Sequence, residues 1–231
     1  MSSGDTSGDR IKRYESVSNI KMQPRSPLII RVDGKAFHTF TRGCDKPFDQ
    51  KLIDAMVNAA KDTAATMMGF KLAYIQSDEC TFMLADYDTL QTQGWFGYEV
   101  NKVVSISAAT FTAMFNKHYG STDAVFDSRA FTVPLDDWQN VFIWRQRDWE
   151  RNSIQMLARA NFSHKECNHK KIPDLHEMLH QKGVNWAKYN DQLKNGTFIL
   201  RNGETNFNKH TYESLTNLVH KLDAIERKYN G

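Results

Sequence analysis

Cysteine is scarce in this chain: Cys44, Cys80 and Cys167 stand far apart in 231 residues and form no CxxC pair. Neither a disulfide framework nor a four-thiolate zinc site is expected, and a reducing compartment fits. Long apolar runs are missing too, since none approaches the roughly 18 residues of a membrane span. Residues 1–10 are polar and Gly/Ser-rich, without the basic stub and apolar core of a secretory leader. These absences predict a soluble cytoplasmic protein with no membrane partner. No stretch is rich enough in Gly, Pro or Ser to serve as an interdomain linker, and no internal repeat occurs. Charge of one sign is also lacking: 30 Lys+Arg against 27 Asp+Glu leave a net +3, too mild to declare a nucleic-acid partner.

What is present is an ordinary globular composition, 40% apolar, with its charge unevenly spread. Between residues 145 and 171, the bases Arg145, Arg147, Arg151, Arg159, Lys165, Lys170 and Lys171 face only Asp148, Glu150 and Glu166. A solvated helix face and a phosphate-binding patch explain this equally well. Residues 1–9 read as a flexible tail and 10–22 as a short polar helix ending before Pro24 and Pro27. Leu28, Ile29, Ile30 and Val32 form a strand halted by the turn dipeptide Asp33-Gly34. Apolar residues at steps of three or four predict helices over 49–68 and 99–118, closed by Gly69 and Gly120. Between them, 70–75 and 80–85 read as a hairpin around Gln76-Ser77-Asp78-Glu79, and 124–133 as a fourth strand. The order β, α, β, β, α, β is that of an α+β, ferredoxin-like split βαβ fold. A tail and helix (1–27), a core (28–135) and a helical C-terminal extension packed on the same domain (136–231) follow. The extension holds helices over 136–161, 174–182 and 211–229, and an extra strand at 197–201.

That topology runs the first two strands parallel with the third between them, so the end of the first strand and the hairpin share one rim. Asp33 and the pair Asp78-Glu79 should therefore converge. Two carboxylates held close repel unless a hard cation lies between them, and Mg²⁺ typically takes one or two carboxylates with water and substrate phosphates. Each acid alone is an ordinary turn residue; the convergence makes a magnesium–nucleotide site the natural expectation. Gly34, Lys35, Ala36, Phe37 and His38 form a loop whose amides could cradle a triphosphate, with Lys35, Arg42 and Lys46 adding charge. Phe37 and Phe40 read as core plugs, with base stacking by Phe37 left open, and Asp49 reads as a helix N-cap. Trp144, Trp149, Ile154, Leu157 and Ala158 read as packing on the long helix, leaving Arg147, Asp148, Arg151 and Asn152 partly free. His164, Cys167, His169, His176 and His180 lack a recognised zinc motif.

Four ordered motifs, RVDGKAFHTF (31–40), KPFD (46–49), QSDECTF (76–82) and WRQRD (144–148), resemble those of the tRNA-histidine guanylyltransferase family of 3′-to-5′ polymerases. The catalytic domain of that family is similar to the palm of ordinary polymerases. The resemblance spans about residues 28–162. It implies that Asp33, the Gly34 carbonyl and Asp78 bind two Mg²⁺ ions, with Glu79 supporting the site as a third catalytic acid. It implies that Gly34 to His38 and Ser77 hold the nucleotide, with ATP and GTP or other nucleoside triphosphates as substrates. It further implies that Arg31, Lys46 and His38 help activate the RNA 5′ end, and that Lys102, Asp148 and Asn152 contact a second nucleotide or the primer phosphate. The eukaryotic His-Ile-Asn-rich motif is replaced by Trp149 to Met156, a basic pair by Gly97-Tyr98-Glu99, and a lysine by Asn195. This pattern resembles the bacterial, archaeal and phage guanylyltransferase-like branch. For that branch the resemblance implies template-dependent repair of tRNA 5′ ends by a homotetramer. Untemplated guanosine addition to histidine tRNA, a palm-type nucleotide cyclase, and a non-catalytic RNA-binding module sharing the βαββαβ order are the alternatives. The last would read bases with aromatics on its central strands, which here offer only Phe82.

Overall fold

The computed structural model describes residues 6–229, with side chains to 223. Of the expected tail at 1–9, residues 1–5 lie outside the described residues and 7–9 are helical instead, since the first helix is α1 (Ser7–Ser16), earlier and shorter than the expected 10–22. Thr6 and Asp9 form a reciprocal capping box that starts it. A strap follows, pinned where Lys21 bridges Glu99. Then come β1 (Leu28–Gly34), a one-turn helix α2 (Phe37–Phe40), α3 (Gln50–Ala64), β2 (Phe70–Gln76), β3 (Glu79–Leu84), α4 (Val100–Tyr119) and β4 (Phe126–Thr132). Asp49 caps α3 by accepting from the Leu52 amide at 2.8 Å, as expected. The long helix α5 (Trp138–Asn161), α6 (His164–Cys167), α7 (Ile172–Gln181), α8 (Asp191–Asn195), β5 (Thr197–Leu200), β6 (Thr205–Asn206) and α9 (Tyr212–Tyr229) complete the chain.

The strands form one sheet in the order β4-β1-β3-β2-β5-β6. β3 is antiparallel to both β1 and β2, so those two run parallel, the split βαβ arrangement. Strand alternation sends Leu28, Ile30, Val32, Cys80, Phe82 and Leu84 to one face, where they meet Met56 of α3 and Val103 and Phe111 of α4. Ile29, Leu72, Tyr74 and Met83 go to the other and meet Trp138 and Phe142 of α5 and Leu215 and Val219 of α9. A third cluster joins the C-terminal half of α5 to α7 through Ile154, Leu157, Leu175 and Leu179. Burial on both faces makes the central strands almost continuously apolar. Their acidic residues Asp33 and Glu79 stand at one strand end, and the candidate site lies there.

Candidate active site

The rim forms because β1 ends where the β2–β3 hairpin turns. Asp33 lies opposite Glu79 on β3 and opposite Asp127 on β4. The hairpin is tighter than the four-residue polar stretch suggests. Gln76 pairs with Glu79, so the turn is only Ser77-Asp78, and Ser77 takes a left-handed φ of 48°. The Gly34 amide donates to the Asp78 carbonyl at 3.0 Å, fastening the two acid-bearing segments together. Alternation from Ile29 places Arg31 and Asp33 on the α5 face, and α5 forms the opposite wall. The resulting cleft, about 270 Å³, holds Asp33, Asp78 and Glu79 on one side and Arg145, Asn152 and Arg159 on the other.

The acids differ in how they are compensated. Burial pushes the Asp78 carboxyl above its ordinary range, and the nearby charge of Asp33 adds to this against a hydrogen bond from Ser77. Arg129 reaches Asp33 only at 3.8 Å, too far for a hydrogen bond. Among the described residues Asp33 and Asp78 are thus a carboxylate pair whose nearest cation is only loosely engaged, which fits a divalent ion. Among the described residues no three His, Cys, Asp or Glu groups gather as a metal cluster, and an ion here would rest on two carboxylates with solvent and phosphate oxygens. Glu79 is different: Arg145 grips both its oxygens, at 2.6 and 2.7 Å. Burial still pushes its carboxyl up against Arg145 and Arg31. This fork fixes Arg145 and leaves both Glu79 oxygens engaged by a guanidinium, unlike those of Asp33 and Asp78.

The phosphate loop is only half available. The amides of Gly34 and Lys35 are spent on Asp78 and Val125, so a ligand phosphate would have to meet those of Ala36, Phe37 and His38, at the start of α2. Ala36 adopts a φ of 55° to turn the chain there. Phe37 is a core plug. Its ring is buried against Phe40, Phe115 and Phe126, so it cannot stack on a base and could contribute only its backbone. Gly34 makes this possible, since a Cβ there would overlap the Phe37 ring. Lys35 and His38 are exposed. Lys46 donates to the Thr41 carbonyl at 3.2 Å, in the loop whose Phe48 and Asp49 line a narrow apolar crevice with Ser77 and Trp149.

Other expected residues separate from the rim. Asp148 is occupied on its own helix by Arg145, Arg151 and Asn152, so it orients Arg145. Lys102 pairs with Glu99 in the first turn of α4, which begins near the end of β3 farthest from the acids. Lys102 is not among the residues that line the cleft. Asn195 braces the fold, its carbonyl accepting from Tyr74 and its amide donating to Phe207. His164, Cys167 and His169 do line one polar cleft, but beside Arg159 and Lys170, which disfavour a zinc dication. Sequence reasoning missed Asp127 and Arg129, whose place opposite β1 follows only from register, and did not single out Arg145. It also misplaced Trp144, which is 55% exposed at the rim.

The family model described as tRNAHis guanylyltransferase (Thg1) matches residues 8–134. A protein of Acanthamoeba polyphaga mimivirus is 30% identical over 185 residues, and the match covers 67% of this chain and 63%, just under two thirds, of the viral protein. A bacterial tRNA(His) guanylyltransferase-like protein solved in complex with ATP superposes with a TM-score of 0.88 at 39% identity, covering 94% of this chain and 98% of that one. A bacterial guanylyltransferase-like protein in complex with GTP gives 0.76 at 41% identity, covering 86% and 88%.

Proposed function

Because this chain belongs to the tRNAHis guanylyltransferase family, whose members are nucleotidyltransferases, we propose that it extends tRNA 5′ ends in the 3′-to-5′ direction, choosing each base by pairing with the opposite strand. The observation that carries this reading is the convergence of Asp33 and Asp78 at the mouth of a cleft walled by Arg145, Asn152 and Arg159, in a fold similar to an ATP-bound relative. A 5′-phosphate oxygen attacks the α-phosphorus of ATP or GTP and expels pyrophosphate. The 3′-hydroxyl of an incoming nucleoside triphosphate then attacks the activated 5′ phosphorus, losing its proton as the nucleoside monophosphate leaves.

Asp33, Asp78 and the Gly34 carbonyl would hold Mg²⁺, which supplies charge neutralisation at phosphorus and acidifies the attacking hydroxyl. The chain's own groups set the rest. The Ala36 to His38 amides and Lys35 receive phosphate oxygens, Ser77 flanks them, and Arg31, His38 and Lys46 serve the RNA 5′ phosphate. Arg145, fixed by Glu79 and Asp148, presents its face to the cleft without moving. Untemplated guanosine addition is the second reading, disfavoured because residues 149–156 carry no His-Ile-Asn run. A homotetramer, which a second nucleotide contact by Lys102 of another copy would need, and a cytoplasmic location belong to the same proposal.

The deciding assay supplies a 5′-truncated tRNA bearing a 5′-monophosphate with ATP, Mg²⁺ and each NTP singly, and resolves 5′ extension on a gel. Extension by the complementary base alone is the expected result. Guanosine added whatever base lies opposite would favour the second reading, and a cyclic nucleotide made without RNA would replace both. Asp33→Ala and Asp78→Ala should each abolish extension while circular dichroism stays native. Near-normal turnover in Asp78→Ala would refute its assignment.

A further inference from the structure

We propose that Trp144 is a stacking platform for a nucleobase at the reacting RNA end, an inference that rests on the nucleotidyl-transfer reading above. Trp144 sits on α5, off the stripe that packs the sheet, and is 55% exposed. It is placed among cations: the Arg145 guanidinium carbon lies 4.6 Å from its ring centroid and that of Arg31 5.8 Å. Arg31 in turn stands directly opposite Arg129 on β4, a pairing of like charges that costs stability in a bare sheet. Arg31 is not firmly neutralised, since its Nε finds no hydrogen bond and lies 3.9 Å from Glu79, while Arg129 is shared between Asp127 at 3.4 Å and Asp33 at 3.8 Å. The under-compensated Arg31 guanidinium and that of Arg145 beside an open indole suit a ligand with a flat π-face and flanking phosphates. Both guanidiniums contact Glu79 of the reactive rim, so a base on Trp144 would belong to the reacting end itself. That base could come from the RNA terminus or from the incoming nucleotide; the chemistry at the indole is the same.

The test compares Trp144→Phe, which keeps a ring, with Trp144→Leu, which keeps only apolar cover. Tryptophan fluorescence is followed while the truncated 5′-monophosphate tRNA, or a single NTP, is added to each protein. The wild type should be quenched, and both variants should lose that quench. In the extension assay Trp144→Leu should raise KM by about tenfold or more, with kcat nearly unchanged, whereas Trp144→Phe should stay within about threefold. A rise confined to the tRNA KM assigns the RNA terminus, and one confined to the NTP KM assigns the incoming base. Equal behaviour of Leu and Phe would make Trp144 a mere cover for the Arg145–Glu79 pair and overturn the proposal. So would an unquenched wild type, or a drop in assembly mass by light scattering in Trp144→Leu. If the wild type extends no RNA but is quenched by it through Trp144, the transfer reading fails and the platform stands.

Discussion

Glu79 and Asp78 are neighbours in sequence with opposite fates, because strand alternation turns one toward Arg145 and leaves the other at the turn. Removing the guanidinium with Arg145→Ala strands a buried carboxyl, which should destabilise the protein by about 3–5 kcal/mol in urea melts. The double change Arg145→Met with Glu79→Met should recover most of that stability while transfer stays impaired. His210 offers a pH handle away from the rim. It sits edge-on to Phe198 and is hydrogen-bonded to Ser214 and Asn206, and burial lowers its pKa. The unfolded chain therefore binds the proton more readily, so the stability it contributes is full above about pH 6.5 and is lost as pH falls through the lower folded value. His210→Asn should flatten the stability slope between pH 7 and 5; an unchanged slope would remove His210 as its source. At this scale the sequence revealed the Asp49 cap by a local signal and the meeting of Asp33 with Asp78 by topology. It could not reveal the Glu79–Arg145 fork, whose partners lie 66 residues apart.

Among the elements, α5 does most to join core and site. Trp138, Phe142, Trp149 and Leu157 of α5 are buried, while Arg145 and Asn152 reach the cleft. Phe142 is fully buried against Trp138 and Phe198. Truncating it to Ala should cost about 3–5 kcal/mol, read as a lower denaturation midpoint with Asp33 and Asp78 intact. The helix was legible in the sequence, but the outward aim of Trp144 was missed. At about 100° per residue it lies roughly 200° round from Phe142, a phase that apolar character alone obscures. The hairpin, α3 and α4 were equally plain. α2 and β6 were not, because a single helical turn and a two-residue strand carry no period to detect.

For the whole molecule, the sheet order could be anticipated for the first four strands because their βαββαβ succession admits few topologies. The attachment of β5 beside β2 could not, since antiparallel pairing across more than a hundred residues leaves no local trace. That attachment has a cost in the order of synthesis. Ile29, Leu72, Tyr74 and Met83 stay uncovered until residues 138–222 arrive, so the face beneath the reactive cleft is an apolar surface for most of translation. Lys71, 2% exposed and held by Asp88 and Asp223, has its charge compensated on one side only when α9 docks. A ribosome-bound chain stopped before α9 should therefore be a client of chaperones, and the sheet gains its full cover only as its last helix closes.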